Sequence, residues 1–93
     1  MTQQIPKSAI AQAAEAQRLR RVGEFFKSYR LSAGLTEEQV TQTLELKPGV
    51  YNRYEAGLLS MPLEDVFALT NLFNIAPEEV MDLVHSLYMH GAE

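Results

Sequence analysis

The sequence lacks the residue patterns on which disulfides, membrane spans and the common catalytic sites depend. It contains no cysteine, which excludes disulfides and thiolate metal ligands and suits a cytoplasmic protein. No apolar run reaches the ~18 residues that a membrane-spanning helix requires. No phosphate-binding glycine loop, zinc-protease motif or nucleophile elbow is present. We therefore expect a cytoplasmic protein that contacts no membrane and is not an enzyme.

Histidine is scarce as well. The two histidines, His85 and His90, would lie on different faces of a helix, so they are not expected to share a metal ion. The adjacent acids Glu64-Asp65 and Glu78-Glu79 lie at predicted helix starts, where the helix dipole already favours negative charge. The sequence therefore predicts no catalytic residue, no metal and no cofactor.

Basic residues are confined to one part of the chain. The net charge of −4 has the wrong sign for a simple nucleic-acid binder. All eight Lys and Arg lie between Lys7 and Arg53, together with five acids, whereas residues 54–93 contain seven acids and no Lys or Arg. Two interpretations remain open: a basic face directed at phosphate with an acidic back, or solvated charge whose imbalance has no function.

Residues 36–57 predict two short helices joined by a tight turn. Thr36 and Gln39 have the spacing of a capping box, so a helix is expected to begin there. Pro48 suits the first position of a second helix, because a proline needs no N–H donor at that place. From Pro48 the inward positions of the second helix would be Tyr51 and Tyr54, three residues apart, and Gly57 is a natural C-terminal stop. Helix, turn and helix within so short a stretch indicate a helix-turn-helix unit.

Helical periodicity also predicts three further helices. The first has one apolar face and is preceded by a segment from Ser8 that is rich in helix formers. The fourth directs Val66, Leu69 and Phe73 at the core, and the fifth begins at Pro77. The apolar face of the first helix consists of Leu19, Val22, Phe26 and Tyr29. We predict an all-α fold of five helices, with an N-terminal arm or helical extension at 1–21 and the folded domain at 22–93.

The chain resembles the phage repressor/Cro type, or XRE family, of helix-turn-helix proteins from Val22 to about Val80. The resemblance rests on Gly34-Leu35-Thr36 at the start of helix 2, on Tyr54-Glu55-Ala56-Gly57 at the end of helix 3, and on helix 1. The residues of helix 1 that match are Val22, Gly23, Glu24, Phe26, Tyr29 and Arg30. The resemblance implies a transcription regulator that binds double-stranded DNA, probes the major groove with helix 3 at about 48–56, and is a homodimer.

The resemblance also implies roles for particular residues. Asn52 and Arg53 on helix 3 would read adenine and guanine respectively. Arg30 and Glu55 occupy positions of a partly buried ion pair that joins helix 1 to helix 3. The full set expected to contact DNA is Lys47, Asn52, Arg53, Thr36, Lys27, Arg18, Arg20 and Arg21. For the last three the sequence leaves two options, a phosphate-binding arm or a solvated extension of helix 1.

Several residues depart from the family pattern and support an alternative function. Glu37 replaces a glutamine that commonly touches phosphate, and Pro48 and Gly49 stand where polar readers are usual. Glu45 replaces the usual glycine of the turn, which implies a strained backbone there. The alternative is a degenerate helix-turn-helix that binds a protein partner through Pro48, Gly49, Val50 and the C-terminal helix.

The C-terminal helix carries more apolar residues than one buried stripe needs. They are Val80, Met81, Leu83, Val84, Leu87, Tyr88 and Met89. One interpretation is a homodimer interface, which would match a two-fold protein to a palindromic site. The other is a helix that wraps the core of its own domain and leaves some apolar side chains exposed.

Overall fold

A computed structural model describes residues 7–88, which form five α-helices and no β-strand. The helices are α1 (Lys7–Ser32), α2 (Glu37–Thr43), α3 (Val50–Ala56), α4 (Leu63–Leu72) and α5 (Pro77–Tyr88). The predicted all-α class and the number of helices are therefore confirmed. The predictions for residues 1–6, Met89 and His90 lie outside the described residues. No helix in the described part of the chain combines the length and the hydrophobicity needed to cross a membrane.

The predicted N-terminal extension and the first helix form one continuous helix of 26 residues. α1 begins at Lys7, one residue before the predicted start of the helix-forming segment at Ser8, and passes residues 21 and 22 without a break. Alanine, glutamine, glutamate and arginine dominate its first half, and these residues lose little conformational freedom in a helix. The helix ends at Ser32, and Gly34 follows with a positive φ of 73°.

The core lies where α1, α2, α3 and α4 meet. Tyr51 and Tyr54 point inward from α3 as predicted, with their rings 6.5 Å apart and nearly perpendicular. Edge-to-face packing of this kind stabilises aromatic pairs beyond their buried area. The buried apolar residues are Phe26, Val40, Tyr51, Tyr54, Leu69, Phe73 and Ile75. The predicted face of α1 contributes half-buried Val22 and Tyr29 around this core.

α1 and α3 pack with their backbones in close contact at Gly23. A Cβ atom at this position would lie 2.4 Å from the carbonyl oxygens of Tyr54 and Glu55. No side chain fits into that space, because real Cβ atoms do not approach backbone so closely. Gly23 therefore fixes how closely α3 lies against α1.

The ends of α2 follow the predicted local chemistry. The Thr36 hydroxyl accepts a hydrogen bond from the Gln39 N–H at 3.0 Å, and the Gln39 side chain accepts one from the Thr36 N–H at 2.8 Å. Both halves of the capping box are thus present. Glu45, just beyond α2, has a φ of 55°, which confirms the strained backbone expected at this position.

The predicted start of helix 3 at Pro48 is wrong, because α3 begins two residues later at Val50. Gly49 has φ 84° and ψ −11°, and the Val50 N–H donates to the Lys47 carbonyl at 3.1 Å. These are the features of a type II turn with proline and glycine at its centre. A residue with positive φ cannot belong to a right-handed helix, so α3 starts only after Gly49. Gly57 ends α3 as predicted, with a φ of 73°.

Candidate nucleic-acid interface

α3 presents a short polar face to solvent. Tyr51, Tyr54 and Glu55 are buried on its inner side, so Asn52 and Arg53 lie exposed on its outer side. The Arg53 guanidinium reaches back over the first turn of the helix, where its Nη2 lies 3.9 Å from the position of a Cβ on Gly49. Two side chains with hydrogen-bonding groups are thus held on a helix that cannot rotate without exposing its tyrosines.

Three of the remaining predicted contact residues are also exposed. Thr36 and Lys47 lie in the segments that precede α2 and α3, and Lys27 lies on α1. The Thr36 hydroxyl already accepts a hydrogen bond as the cap of α2, while Lys47 is part of the turn before α3. The beginnings of both helices therefore carry polar groups next to the outer face of α3.

Arg30 and Glu55 form a buried, two-point ion pair between α1 and α3. Arg30 Nε donates to Glu55 Oε2 at 2.6 Å, and Arg30 Nη2 donates to Glu55 Oε1 at 3.1 Å. The residues are 7% and 8% exposed. Arg30 Nη1 donates a further hydrogen bond to the Leu35 carbonyl at 2.9 Å. One guanidinium thus links α1, the α1–α2 loop and α3, and its hydrogen bonds to Glu55 raise the pKa of Arg30.

Two tyrosine hydroxyls lie behind the outer face of α3. Tyr54 donates to Asp65 Oδ2 at 2.6 Å and so ties α3 to α4. The Tyr51 hydroxyl is buried without a hydrogen-bond partner among residues 7–88. Burial raises the pKa of Tyr51, and the nearby Glu55 carboxylate raises it further, so this tyrosine stays neutral. The Tyr54 hydroxyl thus supports the position of α3, and both tyrosines are buried on its inner side.

Glu37 makes a contact that sequence reasoning missed. Asn52 Nδ2 donates to one oxygen of the Glu37 carboxylate, and the other oxygen lies 3.7 Å from Arg30 Nη2. Glu38 and Glu45 line a surface depression together with Asn52 and Gly49. The sequence marked Glu37 as unusual, but no local pattern relates it to a residue 15 positions away. Three acidic residues therefore lie beside the first turn of α3.

The four basic residues of α1 that the sequence predicts to contact DNA lie on two different sides of that helix. Arg18 pairs with Glu15 at 2.8 Å and lies 4.9 Å from the centre of the Tyr88 ring, while Arg21 donates to the Ser86 hydroxyl at 2.8 Å. These two arginines thus face α5. The remaining two, Arg20 and Lys27, lie on the opposite side of α1.

Arg20 marks the side of α1 that faces the end of α3. A Cβ on Gly57 would lie 2.6 Å from its Cγ. Lys27 follows seven residues, or about two turns, later and therefore lies on the same side. Of the four α1 cations expected to contact DNA, these two share a side with α3.

An exposed apolar surface lies on α4 and α5. Met81, Tyr88 and Phe67 are 64%, 61% and 58% exposed, and Val84 is exposed as well. Continuous apolar surface on a small domain commonly marks an interaction site. By contrast, Val50 is half-buried and packs against the core, so it adds little to the docking surface predicted at the start of α3.

The comparisons with known proteins agree with this geometry. No curated protein and no solved structure matches the chain. A family model described as a helix-turn-helix domain matches residues 21–83, about two thirds of the chain. The matched region begins near the middle of α1 and includes α2, the turn and α3. The chain therefore belongs to the helix-turn-helix domain family, a family of DNA-binding domains.

Proposed function

We propose that the protein is a transcription regulator of the phage repressor/Cro type that binds DNA as a homodimer and inserts α3 into the major groove. The observation that carries the proposal is the outer face of α3. It exposes Asn52 and Arg53 while the buried residues behind them hold the helix still. Pre-organised readers lose little conformational entropy on binding, which favours specific contacts.

The exposed residues divide into base readers and phosphate contacts. Arg53 can bind the O6 and N7 atoms of guanine with two hydrogen bonds, and Asn52 can bind the N6 and N7 atoms of adenine. Lys47 and the Thr36 segment, which begin the two helices, would orient the domain on phosphates. Lys27 and Arg20 would extend the basic surface along α1.

Arg18 and Arg21 are assigned a smaller share in DNA binding. Each already has a partner within the chain, Glu15 for Arg18 and Ser86 for Arg21. To reach a phosphate, each would first have to give up these hydrogen bonds. We therefore propose that they add long-range attraction for DNA and fix α5 against α1.

The proposed dimer interface is the exposed apolar face of α5 with Phe67 of α4. Burial of Met81, Val84 and Tyr88 against a second copy would remove apolar side chains from water. A two-fold dimer would bind two half-sites about one helical turn of DNA apart. The expected operator is therefore palindromic.

A salt titration of binding to mixed duplex DNA tests this proposal. Two or three phosphate contacts in each monomer predict that the log of the binding constant falls against the log of the salt concentration with a slope of about −4 to −5. Sedimentation at the same protein concentrations checks the dimer. Failure to retard any duplex at about 50 mM salt would contradict DNA binding.

The second candidate function is a protein-interaction module, and one observation favours it. Glu37, Glu38 and Glu45 lie beside the first turn of α3, where their negative charge opposes the approach of phosphate. If the domain is a protein-interaction module, it should bind no duplex at low salt and should capture a protein partner. A Pro48→Glu substitution should abolish this capture without unfolding the domain, because Pro48 is exposed in the turn.

A further inference from the structure

The Glu37 carboxylate lies between a proposed base reader and the buried ion pair. One of its oxygens accepts a hydrogen bond from Asn52 Nδ2, and the other lies 3.7 Å from Arg30 Nη2. We infer that Glu37 is a positioning residue that fixes the base preference of Asn52 and at the same time weakens binding to all DNA. This inference rests on the proposed function, because it concerns the same interface.

The hydrogen-bonding capacity of the two side chains gives the reason for the base preference. A carboxylate only accepts hydrogen bonds, so Asn52 must direct its Nδ2 group at Glu37. The amide then keeps Oδ1 and one N–H for a base. Adenine needs one donor and one acceptor from an asparagine, in a fixed order along the base edge. By preventing the amide from turning over, Glu37 holds Asn52 in a single reading orientation.

Glu37 can hold Asn52 because Glu37 is itself held. It is the first residue of α2, directly after the Thr36 cap, and its second oxygen faces the Arg30 guanidinium. Arg30 in turn is bonded to Glu55 in the interior. A chain of polar contacts thus leads from the buried ion pair to the outer face of α3.

The negative charge on Glu37 has a separate effect on affinity. An acid at the start of α2 repels the phosphate backbone of any sequence, so it lowers binding without regard to the bases. Glu38 is the natural comparison, because it is the next residue of α2 and lines a depression that Asn52 also lines. No hydrogen bond joins Glu38 to Asn52 within the described part of the chain. Charge and positioning can therefore be separated by two neighbouring substitutions.

The experiment compares wild type, Glu37→Gln, Glu38→Gln, Asn52→Ala and the double variant Glu37→Gln/Asn52→Ala. A preferred site is first selected from a random duplex library with the wild-type protein. Dissociation constants are then measured for that site and for the same site with each adenine replaced in turn. Thermal unfolding establishes that every variant is folded at the temperature of the assay.

We expect wild type to discriminate about tenfold at the adenine that Asn52 reads. Glu37→Gln should bind every duplex more tightly but discriminate only about threefold, because a glutamine amide both donates and accepts and leaves Asn52 free to turn over. Glu38→Gln should also bind more tightly while it keeps the wild-type discrimination. When Asn52 is already replaced by alanine, adding Glu37→Gln should raise the affinity for every duplex and leave the discrimination at this adenine unchanged.

The outcomes separate this inference from the function on which it rests. Equal discrimination in Glu37→Gln and Glu38→Gln would overturn the inference and leave DNA binding intact. The inference would also be overturned if the double variant Glu37→Gln/Asn52→Ala differed from Asn52→Ala in its discrimination at this adenine. If no protein in the series bound any duplex at low salt, the proposed function would fall and the inference with it.

Discussion

α3 and α5 both pack against α1, but through different kinds of interaction. α3 buries two tyrosines and a glutamate and touches α1 backbone to backbone at Gly23. No described residue of α5 is buried, and its hydrogen bonds to α1 join side chains at the surface, Tyr29 with Glu79 and Arg21 with Ser86, in each of which one partner is exposed and the other half-buried. The helix that would read DNA is therefore the more firmly fixed of the two. The more weakly held helix carries the apolar surface that a partner could cover.

The largest effect should come from breaking the buried ion pair that fixes α3. Arg30→Met keeps most of the side-chain volume but leaves the Glu55 charge buried without its partner, which should lower the free energy of unfolding by about 3–5 kcal/mol. Urea denaturation measures the change. Lys27→Met, an exposed substitution on the same helix, should remain within about 0.5 kcal/mol of wild type.

An unchanged denaturation midpoint in Arg30→Met would show that the pair does not stabilise α3. Adding Glu55→Gln to Arg30→Met sharpens the test. It removes the stranded charge, so the double variant should be more stable than Arg30→Met alone.

The next largest effect should come from the contact of α1 with α3 at Gly23. Gly23→Ala places a methyl group against the carbonyl oxygens of Tyr54 and Glu55, so the two helices must separate. We expect a loss of about 1–3 kcal/mol in the free energy of unfolding, measured by urea denaturation. Ser28→Ala, at an exposed position of α1, is the matched control and should not destabilise the domain. A Gly23→Ala variant as stable as wild type would contradict the close packing.

Replacement of Arg53, the proposed guanine reader, tests whether the outer face of α3 reads DNA bases. Arg53→Ala should weaken binding to the preferred site by roughly 1–3 kcal/mol per half-site and relax the preference for one base. Lys47→Ala should instead weaken binding to all sequences alike and reduce the salt slope by about 2, because each monomer of the dimer loses one phosphate contact. Fluorescence anisotropy with the preferred duplex and with a scrambled duplex measures both. Loss of the same size on both duplexes in Arg53→Ala would mean that Arg53 binds phosphate.

The smallest effect on stability is expected on α5. Met81→Glu changes an exposed side chain, so the free energy of unfolding of the monomer should shift by no more than about 0.5 kcal/mol. The charge should nevertheless prevent dimerisation and weaken binding to a palindromic site, which sedimentation and a binding titration would show. In the sedimentation experiment, an exposed change on α2, Gln42→Glu, serves as the control for the effect of added charge on dimerisation. A Met81→Glu protein that remained dimeric would exclude this face as the interface.

The helices and the inner side of α3 could be predicted from the sequence because the responsible interactions are local. The capping box joins residues three positions apart, and Tyr51 and Tyr54 are separated by the same short interval. The start of α3 was the exception. Pro48 suits a helix start as well as a turn. The positive φ of Gly49 decides for the turn, and the spacing of apolar residues carries no information about that backbone angle.

The sequence by itself thus determined the helical class, most helix ends and the residues that α3 exposes, since each depends on neighbours within one or two turns. Tertiary structure alone decided which charged and polar groups meet. Asn52 and Glu37 are 15 positions apart, and Arg21 and Ser86 are 65 apart. Such contacts exist only once α1, α2, α3 and α5 have packed, because the packing of buried side chains sets the positions of the helix surfaces. For the same reason the acids around α3, and the division of the α1 arginines, could not be deduced from charge counts along the chain.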